Sequence, residues 1–364
     1  MTGAAACLAG FEGITVIIHG SSGCYYYPAT LLHTPIYGTF ILENEVIFGS
    51  GDRLREVIGE LSDSGKKIAV INTCVPSLLG EDLREIVEGD DFILVDSPGY
   101  KGGMEEGYQA ALESLHPAVD PDRPGVNIDG VSLSDPFSAG NTQEVARILH
   151  SARIPVGTVL CRDAADMARH ASSLTIGTNG DFGSGVGKFL GGTLGFPALR
   201  ATFSQLAAEC SDVDISPVLA EIDRQEERVI SACDKFLRRF DPPDVAIFSG
   251  ESYGIFAADT LKRYLDAGIL VVGTRNAVSA ETHYPWPVEQ LTGIEEVRRT
   301  LTKSEPDLVI GSSFERAVCP NAAFVGIIPP LRGRIRLAPT PIAGPNGTLH
   351  FVEEALNACM DNRS

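Results

Sequence analysis

The sequence predicts an α/β fold of three Rossmann-like domains with mainly parallel sheets. Short apolar runs alternate with amphipathic stretches along the whole chain, the pattern of parallel strands joined by helices. The 364 residues exceed a single ordinary core of roughly 100–200 residues. The 38 glycines supply the tight turns such a fold needs.

Strands are expected at ITVII (14–18), IAVIN (68–72), FILVD (92–96), VGTVL (156–160), VAIFS (245–249), ILVVG (269–273) and DLVIG (307–311). Between the first two, DRLREVIGELSDSG places Leu54, Val57, Ile58 and Leu61 on one helical face. HPAVDPDRPG, with three prolines and a glycine, reads as a linker and closes a first domain over 1–120. A second domain, 121–241, ends in the long helix SPVLAEIDRQEERVISACDKFLRRF. Its expected apolar stripe is Leu219, Ile222, Val229, Ile230, Cys233 and Leu237, and Asp241-Pro242-Pro243 stops it. The third domain, 242–364, repeats the strand, turn and helix plan from DVAIFSG onward.

A formal charge of −19 argues against nonspecific attraction to nucleic acid or to an anionic membrane. No apolar run approaches the ~20 residues that span a bilayer. AAAC near the start has neither a basic region nor an apolar stretch before it, so the expected location is cytoplasmic. Eight cysteines are too few for a disulfide scaffold of this size, which favours metal or packing roles.

Cys210, Cys233 and Cys359 fall at helical spacing among apolar residues and read as core, and Cys161 and Cys319 are assigned to packing. Cys7, Cys24 and Cys74 differ, because CLAG, HGSSGC and NTCVPSLLGED flank predicted strands with turn residues. Loops at the carboxyl ends of parallel strands converge on one crevice, and their backbone N–H groups can offset thiolate charge. Spacings of 17 and 50 residues are not a compact metal motif, so the residues alone leave open an iron-sulfur site, a zinc site or three buried thiols.

Taken together and in order, CLAG, HGSSGC, ENEVIFGSGDRLREVI and NTCVPSLLGEDL resemble the start of nitrogenase component 1 and its relatives, and VDSPGYKGG resembles the element that follows. DVAIFSGESYGIFAADTLKRYLDAGILVVGT and EPDLVIGSSFERAV resemble that family's third domain more faintly. The resemblance implies a 4Fe-4S cluster at a subunit interface with Cys7, Cys24 and Cys74 as ligands. It also implies an ATP-hydrolysing iron protein, similar to nitrogenase reductase, as electron-donating partner. TIGTNGDFGSGVGKFLGG has no Cys and IIPPLRGRIRLAPTPIAGPNG has no His, so the family's molybdenum-iron cofactor lacks its two protein ligands. The short chain resembles most the branch of the family that acts, as a homodimer, on a nickel tetrapyrrole, nickel-sirohydrochlorin a,c-diamide. Other tetrapyrrole reductases of the family and non-catalytic cofactor scaffolds are the alternatives.

Arg332, Arg334 and Arg336 alternate in LRGRIRL, and an extended segment would turn all three to one face, where guanidinium forks suit a substrate with several carboxylates. A solvated face paired with local acids is the plainer reading. Tyr25, Tyr26 and Tyr27 could shield a cluster or simply pack, and His19 could serve near it or end its strand structurally. GSGVGKF lacks the spacing and the Ser or Thr of a phosphate-binding loop, so its glycines are expected to make tight turns and ATP to bind elsewhere.

Overall fold

A computed structural model describes residues 1–276 and 283–363. The first sheet contains β1 (Ile14–His19), β2 (Tyr37–Gly38), β3 (Lys67–Asn72) and β4 (Phe92–Asp96), all parallel, in the order β2-β1-β3-β4. Helices α1 (Thr2–Leu8), α2 (Ser22–Leu32), α3 (Glu43–Phe48), α4 (Gly51–Leu61), α5 (Cys74–Leu79) and α6 (Met104–Glu113) accompany it. Every residue of β1 is buried, as a strand covered on both faces requires, which is why its apolar run is continuous.

The middle sheet runs β6-β5-β7-β8, from β5 (Val126–Asp129), β6 (Val156–Val159), β7 (Leu174–Gly177) and β8 (Lys188–Gly192). Its helices are α7 (Ser138–Ser151), α8 (Phe196–Glu209) and α9 (Ser216–Leu237). The third sheet runs β11-β10-β9-β12-β13, from β9 (Asp244–Ser249), β10 (Gly268–Thr274), β11 (Val288–Gln290), β12 (Leu308–Gly311) and β13 (Ala323–Gly326). With it come α10 (Glu251–Leu265), α11 (Ile294–Ser304), α12 (Ser313–Val318) and α13 (Gly344–Arg363).

All seven expected strands are present, distributed over three mainly parallel sheets. The chain divides differently from the expected three domains. It forms two compact units: Met1–Ser134 with Val156–Thr175 and Phe182–Phe189, and Asp135–Pro155 with Ile176–Asp181 and Leu190–Ser364. The supposed linker is tied into the first unit, where Ala118 exchanges backbone hydrogen bonds with Ala168 and Ala171.

In α9 the buried stripe is Val218, Ile222, Gln225, Val229, Cys233 and Phe236, whereas the expected Ile230 is 45% exposed. The GSGVGKF glycines do make turns. Gly185 and Gly187 have positive φ, and a Cβ on Gly187 would come within 2.8 Å of the Thr175 hydroxyl.

Candidate metal centre

Strand register sets the site. His19, Asn72 and Asp96 are aligned at the carboxyl ends of β1, β3 and β4, so the segments that follow all leave the sheet at one edge. Cys24 lies in the first turn of α2 and Cys74 is the first residue of α5, both helices starting directly beyond that edge. The third segment contributes Gly99, whose N–H donates to Cys74 Sγ at 3.1 Å. The α-amine of Met1 donates to Ser97 Oγ at 2.6 Å. Burial lowers the pKa of that amine, while Cys74 and Cys24 pull it upward, which puts both thiols within electrostatic reach of one point. Buried Asn72 donates to Asp96 at 3.0 Å, yet its Oδ1 has no partner among the described residues.

The two cysteine segments are bolted together behind the thiols. Thr73, just before Cys74, donates its N–H and its hydroxyl to the His19 carbonyl at 3.1 and 2.8 Å. Gly20 must remain glycine for that approach, since a Cβ there would lie 1.8 Å from Thr73 Oγ1. The His19 ring is fully buried between Thr39 Oγ1 at 3.2 Å and Ser50 Oγ at 3.0 Å. Ser50 spends its single hydroxyl proton on Glu81, so it accepts from Nε2–H, and the bare Nδ1 accepts from Thr39. Burial pushes the His19 pKa down to about 4 against the pull of Glu81, which keeps the ring neutral at pH 7.

Cys7 stands apart. It lies in α1, every residue of which is buried, and its sulfur is 3.2 Å from that of Cys161, itself 2.9 Å from the Tyr108 hydroxyl. Burial and Cys161 hold its thiol well above the usual range, the opposite of what a thiolate ligand needs. No group of three or more His, Cys, Asp or Glu among the described residues is placed to hold a single metal ion. The burial of Cys7 follows from α1 itself. Small side chains let it press against α6 so closely that a Cβ on Gly3 would meet the Met104 carbonyl at 1.7 Å, and Cys7 is carried into the core.

Around Cys24 and Cys74 the surface is apolar. Tyr26 and Tyr27 of α2, Ile47 and Phe48 of α3, and Leu78 of α5 are all at least 60% exposed. Tyr25 instead packs edge-on against Phe40 and donates to the Ile36 carbonyl.

The three arginines do not share a face, because residues 331–340 form turns and irregular backbone rather than a strand. Arg332 lies over the Phe314 ring, and Arg334 pairs with Glu354. Arg336 lies 4.1 Å from the Phe137 ring centroid and donates to the Gly326 carbonyl, and its Nη1 is buried without a partner among the described residues. Beside Phe137, buried Asp135 accepts from the Tyr253 hydroxyl at 2.5 Å and from the Phe137 N–H at 2.8 Å. Sequence reasoning missed Asp135, Tyr253, Ser50 and Glu81, which belong to no spacing motif and are united only by folding.

A family model described as nitrogenase component 1 type oxidoreductase matches residues 1–360. The chain is 24% identical to the nitrogenase iron-molybdenum cofactor biosynthesis protein NifE of Clostridium pasteurianum, over 71% of this chain and 64% of that protein. It is 30% identical to the Ni-sirohydrochlorin a,c-diamide reductive cyclase complex component CfbD of Methanocaldococcus jannaschii, over 27% of this chain and 32% of that protein. These matches therefore span less than two-thirds of either relative. Similarity to the nitrogenase molybdenum-iron protein beta chain of Frankia alni is 24% identity over 99% of this chain and 81% of that one. The fold superposes on the nitrogenase Cp1 structure at pH 6.5 with a TM-score of 0.82 and 18% identity, covering 99% of this chain and 91% of the other.

Proposed function

Since the chain belongs to the nitrogenase component 1 type oxidoreductases, we propose that it is the catalytic subunit of a nitrogenase-like, ATP-dependent reductive cyclase. In this reading an ATP-hydrolysing iron protein supplies electrons. The substrate is nickel-sirohydrochlorin a,c-diamide, which is reduced and closed into a γ-lactam on the way to the nickel tetrapyrrole coenzyme of methanogenesis. Similarity to CfbD supports the substrate, as does the lack of Cys in residues 175–192 and of His in 327–347, which removes both protein ligands of a molybdenum-iron cofactor.

The observation that carries the proposal is the pair Cys24 and Cys74, on adjacent strand ends within an exposed apolar face. A 4Fe-4S cluster bound there supplies one-electron transfer. The Gly99 N–H on Cys74 suits a thiolate. One chain offers two such thiols, and a two-fold homodimer with this face at its centre offers four. Arg336, over the Phe137 ring with its buried Nη1 unpartnered among the described residues, is the group we assign to a substrate carboxylate, while Arg332 and Arg334 are already engaged by Phe314 and Glu354.

The longer similarity to NifE favours a second reading, a scaffold on which a metallocofactor is built. Anaerobic purification with iron, sulfide and EPR measurement, followed by addition of reductase, ATP and nickel-sirohydrochlorin a,c-diamide, separates the two. Turnover of the tetrapyrrole is the expected result. A cluster passed intact to an acceptor protein without turnover overturns the cyclase and leaves the scaffold.

A further inference from the structure

Helices α9 and α13 leave a cavity of about 720 Å³ between them that neither the metal centre nor the arginine segment uses. Its floor is apolar. Leu349, Val352, Leu356 and Met360 follow one another along α13 at intervals of three and four residues, opposite Val229 and Phe236 of α9 and Phe240 just beyond its end. Val352, Val229 and Phe236 are already buried where the two helices pack, while Met360 is exposed and Leu349, Leu356 and Phe240 are half-buried, so an apolar strip stays open along the groove.

The rim has the opposite sign to the molecule. Arg228, Lys235, Arg238 and Arg239 line the groove, with Glu353 as the acid among its lining residues, in a chain whose net charge is −19. Lys235, Arg238 and Arg239 have no ion-pair partner among the described residues, although the chain holds 48 acidic side chains. Arg228 and Lys235 sit seven residues apart on one face of α9, about 10 Å along its axis, and Arg238 and Arg239 continue the row just past its C-terminal end.

The geometry points to a docking groove for an acidic amphipathic helix of a partner protein, its apolar face on the α9–α13 seam and its carboxylates against the cation row. A row of charges parallel to a seam two to three turns long matches a helix. A compact anion would need the cations to converge on one point, and they are strung along the axis instead.

The probe is a fluorescein-labelled synthetic helix of about 18 residues with Leu at the seam positions and Glu flanking them, followed by anisotropy. Saturable binding is expected, weakened at least about tenfold by Lys235→Glu with Arg239→Glu and by raising salt from about 50 to about 300 mM. The same peptide with Lys for Glu should not bind. Both substituted residues are exposed, and unchanged circular dichroism and iron content verify the fold of the variant. Failure of the acidic peptide to saturate, or equal binding by the charge-reversed variant, overturns the proposal. So does a change in the oligomeric state of the chain on charge reversal, which would assign the groove to a second copy. Stoichiometric binding of dodecanoate without peptide binding would assign it to a small amphipathic anion instead.

Discussion

Two kinds of cysteine are distinguished by what surrounds each sulfur. Cys24 and Cys74 lie in the first turns of helices that leave a strand edge, whereas Cys7 is a neutral thiol inside the core. Cys24→Ser and Cys74→Ser should each leave less than about a tenth of the bound iron after anaerobic reconstitution. Cys7→Ser should keep its iron and lose about 1–3 kcal/mol of stability, because a hydroxyl would replace a thiol in an apolar contact with Cys161. Iron loss in Cys7→Ser equal to that in the other two would restore the three-ligand expectation. His19 makes a pH prediction of definite sign. Its pKa is about 4 folded against an ordinary 6.5, so the unfolded chain takes up the proton first as pH falls. The stability this costs is absent above pH 6.5, grows as pH falls towards about 4 and reaches about 3 kcal/mol there. Denaturant titrations at pH 7.5 and 4.5 should show His19→Gln less sensitive to acid than the parent, and equal sensitivity would sink the assignment.

At the scale of elements, α7 is the part that holds the arginine segment. Asn141 accepts the N–H groups of Ile342 and Ala343 at 2.8 and 2.9 Å, and Glu144 accepts from Asn346. Gly140 lets the two run so close that a Cβ would sit 2.3 Å from the Thr340 carbonyl carbon. Helix propensity alone would make Gly140→Ala stabilising by about 1 kcal/mol, but overpacking against immovable backbone costs about 1–3 kcal/mol. Net destabilisation is therefore expected, together with weaker carboxylate binding at Arg336, which calorimetry and ligand titration check. The same contrast explains what the sequence could disclose. β1, β3 and β9 were legible because both faces are buried and their apolar runs are unbroken. β5 was not, since its VNID buries Asn127 and Asp129 as hydrogen-bond hubs for Ser172, Thr158 and Ser184. The strand-end position of Cys24 and Cys74 was readable from a strand, a turn and a Cys. The turn expected at CLAG is instead the end of α1, because the small residues of TGAAACL allow that helix to be buried on every side. The arginine alternation failed for a related reason: period two has meaning only where a strand forms, and Gly333 with positive φ turns the chain instead.

For the whole molecule, charge and apolar surface oppose each other at the proposed dimer. Two copies of a −19 chain repel, and at physiological salt that repulsion is screened beyond about 8 Å. The face around Cys24 and Cys74 must outweigh what remains, and Ile47, Phe48 and Leu78 are the exposed side chains able to do so. Dimerisation should therefore strengthen with salt, the reverse of the trend expected for an acidic helix at the α9–α13 groove. Placing a carboxylate in the face with Ile47→Glu and Leu78→Glu should yield monomers in sedimentation equilibrium and remove the iron although both thiols are retained. Ile230→Glu, on the exposed side of α9, adds the same charge elsewhere and should change neither property. A monomeric double variant that kept a full cluster would show that one chain completes the ligand set alone, and the two-fold arrangement would then be wrong even if the cysteines are right.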